Sequence, residues 1–238
     1  MSPQKNGRPR AVVACGGWAH PADETRELLV ELIDDRGFDV VVVEEPEELT
    51  VALGASCDLL VVASCWFTMT QDRYTQEQRS EWGIPADSER QRLLSDLIDR
   101  GTPLLALHTA VICFDDWPQW HEHLGGGWNW QHSNHPEPAR MVVNRCDQQP
   151  AGIQIDSFTL VDEEYRELDV APTSEIIVRS DNGHPLMWLN QREGRRVAVD
   201  VLGHGRQSLE NAGHQAALQA LLDWLLAEEL ESAGAAHA

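Results

Sequence analysis

Two histidines each stand just after a strongly apolar run. His108 follows Leu104–Leu107 and is followed by Thr109 and Ala110; His204 follows Val197–Leu202 and lies between Gly203 and Gly205. In an open α/β sheet the residue after a strand sits at the carboxyl rim, where ligands bind. A histidine there can act as a base, an acid or a metal ligand. Ala106 and Ala110 are small enough to permit the sharp strand-to-helix turn that exposes a nucleophile in other α/β enzymes, here bearing His108 instead of Ser or Cys. The glycines beside His204 allow close backbone approach. Together the pair predicts acid/base catalysis or metal binding. The plainer alternatives are a strand-end histidine held by a hydrogen bond and an incidental histidine in a glycine turn.

Carboxylates for such a site come from Asp162-Glu163-Glu164-Tyr165. In so acidic a chain, composition alone favours a solvated loop for this run. Asp115 and Asp116 suit the cap of a helix begun at Trp117-Pro118. Between Asp115 and Pro138 the chain interleaves Trp117, Trp120, Trp128 and Trp130 with His121, His123, His132 and His135. Indole faces suit the apolar C–H faces of sugar rings; packing of a long loop is the alternative. His121 and His123 would point to different helix faces and so cannot share a metal, whereas His132 and His135 could converge in a loop. No HExxH, Walker or GxGxxG pattern occurs, so a nucleotide cofactor is not expected, and Gly125–Gly127 precedes no obvious helix.

These groups need a frame. Arg10–Cys15, Phe38–Val43, Asp58–Ala63 and Pro103–Leu107 read as buried strands. Between them lie helices opened at Asp23 (closed by Gly37), over Glu47–Leu53, and over Asp87–Arg100 (closed by Gly101). Near-continuous Val and Leu runs alternating with amphipathic helices predict a mostly parallel sheet covered on both faces. Strand-like segments follow at Arg140–Asn144, Phe158–Val161, Glu175–Arg179, Leu186–Asn190 and Arg196–Leu202. A final helix is expected over Gln207–Leu226. The expected organisation is a flexible stretch over 1–9, one α/β domain over 10–230 and a frayed tail over 231–238.

Composition sets further bounds. The 238 residues carry 39 acidic and 18 basic side chains, a net charge of −21, and Lys5 is the only lysine. Such a chain is repelled by phosphate backbones and anionic lipids, so nucleic-acid and membrane partners are not expected. Five cysteines without a CxxC pair argue against a disulfide framework or a structural zinc knuckle. The polar N-terminus and the lack of a long apolar run predict a cytoplasmic protein.

The chain resembles the ThuA-like (trehalose utilisation) family. The resemblance is carried in order by Leu104–Ala110 (LLALHTA), Asp115–Trp128 (DDWPQWHEHLGGGW), His135-Pro136, Asp162–Tyr165 (DEEY), Pro185–Leu189 (PLMWL) and Gly194–His204 (GRRVAVDVLGH). It covers roughly residues 10 to 226 and implies a flavodoxin-like, class I glutamine amidotransferase-like α/β fold. His108 then occupies the elbow where true amidotransferases place cysteine, and Cys113 comes too late to substitute. Members are associated with sugar utilisation, including disaccharides oxidised to keto sugars, and some hold a divalent metal. The resemblance therefore implies one site of His108, Glu163 and His204, either catalytic or holding zinc or manganese. It also implies a sugar-contacting wall from Trp117, Trp128, Trp130, His135 and Tyr165, and a homo-oligomer. Two features are individual to this chain: Gln149-Pro150 stands where the family often has His-Pro, and Thr68–Asp87 reads as a polar insertion.

The expected function is an enzyme acting on an oxidised (keto) sugar or glycoside, as an isomerase, epimerase, lyase or hydrolase. A non-catalytic sugar-binding or regulatory protein on the same fold and a metal-dependent hydrolase unrelated to sugars are the alternatives.

Overall fold

The computed structural model describes residues 7–19, 22–192 and 194–234, with side chains placed up to residue 227. Strand β1 (Arg10–Gly17) leads through α1 (Ala22–Asp34) to β2 (Asp39–Val43), then through α2 (Pro46–Leu53) to β3 (Leu59–Cys65). Helices α3 (Gln76–Trp82) and α4 (Ser88–Asp99) precede β4 (Leu104–Leu107), which runs directly into a 3-10 turn at His108–Val111. Helix α5 (Pro118–Leu124) follows, then β5 (Gly126–Gly127), β6 (Ala139–Arg145), β7 (Phe158–Asp162) and β8 (Asp169–Val170). The chain ends with β9 (Glu175–Ser180), β10 (Pro185–Arg192), β11 (Arg195–Asp200), α6 (Arg206–Leu209) and α7 (Ala212–Gly234).

Nine strands form one sheet in the order β2-β1-β3-β4-β11-β10-β9-β6-β7, while β5 and β8 pair apart from it. From β2 to β11 every pairing is parallel, giving the flavodoxin-like order 2-1-3-4-5 with β11 in the fifth place. From β11 to β7 the pairings are antiparallel. The inner parallel strands are buried on both faces: Ala11–Cys15, Leu59–Val62 and Leu104–Leu107 have no solvent exposure, whereas β2, read from the sequence as buried, is the edge strand and only half-buried over Val40–Val42. Helix α1 buries Leu29, Leu32 and Ile33, the spacing of one helical face. Helix α4 buries Leu94, Leu97 and Ile98, and its cap Asp87 accepts from the N–H groups of Glu89 and Arg90.

Several elements depart from the sequence reading. The final helix is broken. Asn211 caps α7 by accepting from the N–H groups of Gly213 and His214, which separates it from α6. Helix α7 then continues past Leu226 to Gly234, so the expected frayed tail is helical up to that residue, and residues 235–238 lie outside the described part. Of the stretch expected to be flexible, residues 1–6 also lie outside it, and Arg8 is tied to Asp34 and to the Gly37 carbonyl. Asp115 and Asp116 do not cap α5, whose cap position is Trp117 without a side-chain bond. They instead fasten the 68–87 segment. Asp115 accepts from Thr68 N–H (2.7 Å), Thr68 hydroxyl and Gln71, and Asp116 accepts from Ala86 N–H. That polar segment is thus part of the folded body, with α3 inside it.

Candidate functional site

The carboxyl ends of β1, β3, β4 and β11 converge. His108 begins the turn after β4 with φ +49°. For a histidine this left-handed conformation is strained, at a cost of about 1–3 kcal/mol, and it makes the sharp elbow that Ala106 and Ala110 permit. His108 Nδ1 lies 3.0 Å from the Val201 carbonyl. A carbonyl only accepts, so Nδ1 carries the proton and the lone pair of the neutral ring is on Nε2. Nε2 lies 3.3 Å from the Tyr165 hydroxyl and 3.7 Å from Glu163 Oε2.

Glu163 is the hub. His204 Nδ1 stands 3.3 Å from its Oε2 and His135 Nδ1 stands 3.2 Å from its Oε1. Burial pushes the Glu163 carboxyl up, but the close approach of His135 and His204 and the nearby His108 outweigh it and hold the group well below the carboxylate range. The same ion-pair contacts raise His135 and His204 above the ordinary imidazole value, against partial burial. Tyr165 is buried, which pushes its phenol up and keeps it protonated; the Glu163 charge adds to this. The acidic run is therefore no solvated loop: Asp162, Glu163 and Glu164 are all buried.

A second layer holds the hub. Asp162 accepts from the N–H groups of Glu163 (2.8 Å), Gly203 (2.7 Å) and His204 (3.2 Å) and from the Ser208 hydroxyl (2.5 Å). It thereby ties the end of β7 to the loop after β11. Burial pushes the Asp162 carboxyl up in spite of these donors. Ser208 in turn contacts His214 Nδ1 at 3.1 Å, and His214 Nε2 meets Asp200 at 2.9 Å, with both partners fully buried. Burial opposes the His214 charge, but Asp200 overcomes it and raises the imidazole. Glu164 faces away from the hub, paired with Arg166 and Asn182.

The hub opens into a cavity of about 310 Å³. His135, Glu163, Tyr165 and His204 line it, with Trp128 and Trp130 beside them. His108 does not line it; it is buried one layer behind, against Tyr165 and His204. Trp117, expected in the sugar-contacting wall, is also absent from it. It packs in the core on Trp120, Phe114 and His123, because α5 turns its ring inward. His132 pairs with Asp169 and does not converge with His135. As expected, His121 and His123 separate: His121 lies against Gly127, and His123 meets Ser95.

The remaining wall is Trp18, Ala19, Cys65, Phe67, Arg73, Tyr74 and Ile112, none of which the sequence reading singled out. Trp18 reaches it because Gly16 and Gly17 take φ +132° and +93°. A Cβ on Gly17 would fall 2.4 Å from the Cys65 carbonyl oxygen. The glycine pair that ends β1 was the available signal. Arg73 and Tyr74 come from the polar 68–87 segment and had none.

Three donors, His108, Glu163 and His204, offer atoms within 4.8 Å of one another. Two imidazoles and a carboxylate are a suitable donor set for a divalent cation such as zinc. The Val201 carbonyl on His108 Nδ1 is the outer contact that a ligating imidazole needs.

Comparison with known proteins now adds to this geometry. The family model described as ThuA, trehalose utilisation, matches residues 10–225. The chain belongs to the ThuA family. Among curated proteins none matches the sequence. Among solved structures, a ThuA-like protein from Parabacteroides merdae superposes with a TM-score of 0.68 at 15% identity, covering 92% of this chain and 90% of that one. A ThuA-like protein from Bacteroides uniformis gives 0.67 at 14% identity over 95% and 94%. A glutamine amidotransferase from Thermotoga maritima gives 0.56 at 10% identity over 92% and 98%, a likeness of fold. In this ThuA chain the strained elbow carries His108. Cys113 is buried, donates to the Ser64 carbonyl at 2.8 Å, and has its thiol pushed up by burial to about 12. Among the described residues no helix is long and apolar enough to cross a membrane.

Proposed function

We propose that this ThuA-family protein is a sugar-utilisation enzyme that moves protons at carbons next to the carbonyl of an oxidised sugar or glycoside. The observation that carries the reading is the pair of histidines, His135 and His204, whose Nδ1 atoms stand 3.2 and 3.3 Å from the two oxygens of Glu163 at the wall of the cavity. Glu163 takes the Nδ1 side of each ring, as the carboxylate of a catalytic triad does, and leaves Nε2 as the nitrogen for substrate. Both rings are raised, so one can act as the acid toward the keto oxygen. The other, having released its proton, is the base toward the adjacent carbon. Isomerisation, epimerisation and elimination all begin with this transfer.

His108 is a positioning residue in this account. It fixes Glu163 and Tyr165 from behind and sits where an amidotransferase keeps its nucleophile. Cys113, protonated and buried, is unsuited to form a thioester, which argues against glutamine hydrolysis. Trp128 and Trp130 offer faces to a sugar ring, and the cavity lies near the low end of the ~300–1,000 Å³ typical of small-molecule pockets. That size suits one reacting ring. His108, Glu163 and His204 would hold a divalent cation such as zinc or manganese, which when bound would polarise the substrate carbonyl. Protons and a cation compete for the same nitrogens.

The test is turnover of 3-keto-glucosides by His204→Gln and His135→Gln, with folding checked by circular dichroism. Each variant is expected to lose about 10²-fold or more. Full activity in both would remove the proposed chemistry.

A further inference from the structure

The cavity also carries a permanent cation. Arg73 lines it, with its guanidinium carbon 5.0 Å from the centre of the Tyr74 ring and 4.9 Å from that of Trp130. Both distances are in the range of cation–π contact, so two rings restrain the side chain. Carboxylates pair with Arg8, Arg26, Arg166 and Arg206 elsewhere. Among the described residues none pairs with Arg73. The cavity already holds the Glu163 carboxylate, and the field of the whole chain repels anions. Arg73, exposed at the rim of that wall, places one positive charge where an anionic group on a ligand would meet it.

We propose that Arg73 is the specificity-determining residue of this site and that the sugar it selects carries a carboxylate. The inference rests on the sugar reading above and names its substrate class. A guanidinium held by aromatic rings presents its N–H fork with little rotamer entropy left to lose, and the fork matches a carboxylate in two parallel bonds. A phosphate site ordinarily adds a helix N-terminus or a nest of backbone N–H groups to its cation. Here a single guanidinium offers one positive charge, which one carboxylate neutralises. Trp130 braces the arginine at the wall of the cavity.

Trp128 and Trp130 supply the readout, because their fluorescence reports occupancy of the cavity. Glucuronate, glucose and glucose 6-phosphate are titrated into the wild type, Arg73→Gln and Arg73→Lys. The wild type is expected to bind glucuronate about tenfold or more tighter than glucose. Arg73→Gln should bring that ratio near one, and Arg73→Lys should retain only part of it. Glucose bound as tightly as glucuronate by the wild type, or a preference surviving in Arg73→Gln, overturns the inference and leaves the sugar reading standing. Preference for glucose 6-phosphate overturns the carboxylate assignment. No response to any of the three overturns this inference, and no turnover of keto sugars as well removes the sugar reading with it.

Discussion

His204 and Glu163 meet at 3.3 Å from the ends of β11 and β7, strands at different places in the sheet. The contact exists because Asp162 and the 203–204 backbone are bonded to each other one residue away. The two strands stand four places apart in the sheet, and the buried carboxylate of Asp162 is what ties their ends together.

Glu163→Gln should lower the pKa of both His135 and His204. In the metal-free protein the raised histidines contribute stability in full below their unfolded value of about 6.5, and lose it as pH rises through the folded values. The depressed Glu163 contributes above about pH 4.3 and loses its part as pH falls toward its folded value. Thermal unfolding of wild type and variant with chelator should therefore differ most near pH 5–6, by on the order of 1 kcal/mol because both rings are partly exposed. The gap should close by pH 9. A gap constant from pH 5 to 9 would contradict the ion-pair description.

Asp162→Ala should cost about 2–4 kcal/mol, since it removes the acceptor for three backbone N–H groups and the Ser208 hydroxyl. Amide exchange should rise at Gly203 and His204. A variant with unchanged exchange at those amides would show that the loops are held by other contacts.

His214→Ala should be as damaging for a different reason. Asp200, fully buried, would lose its partner, at about 3–5 kcal/mol. The raised His214 adds stability below about pH 6.5 that fades as pH rises through its folded value, so the penalty should shrink in alkaline solution. Urea unfolding at pH 6 and pH 9 measures this.

Trp130→Ala should weaken sugar binding severalfold and also cost stability, since its ring packs on Phe67 and Tyr74 and its N–H donates to Asp115, whereas Trp117→Ala should cost about 3–5 kcal/mol and leave the affinity of the folded fraction alone. The reverse pattern would return Trp117 to the binding wall.

The parallel half of the fold was legible because buried strands are near-continuous apolar runs with glycine stops, as in Arg10–Gly17. The elbow at His108 was legible for the same reason, helped by the small residues around it. Spacing could not give the depth of His108, since exposure depends on Tyr165 and Glu163 arriving from β7. The burial of Asp162–Glu164 was hidden because an acidic run in an acidic chain has the composition of a solvated loop, and its donors are backbone groups. Arg73 and Tyr74 were invisible for a third reason. The anchors of their segment, Asp115 and Asp116, lie over 25 residues downstream and read locally as helix caps.

In the proposed chemistry the histidines and Glu163 act as one unit. A double-mutant cycle on kcat/KM for a 3-keto-glucoside tests it, using Glu163→Gln, His204→Gln and the pair, with His108→Asn as a positioning control that tolerates the left-handed backbone. Each of the first two variants should lose about 10²-fold or more, and the pair should lose little beyond the worse single. His108→Asn should shift the pH–rate profile as well as its height. Additive losses in the pair, or folded variants that keep wild-type turnover, would contradict the account.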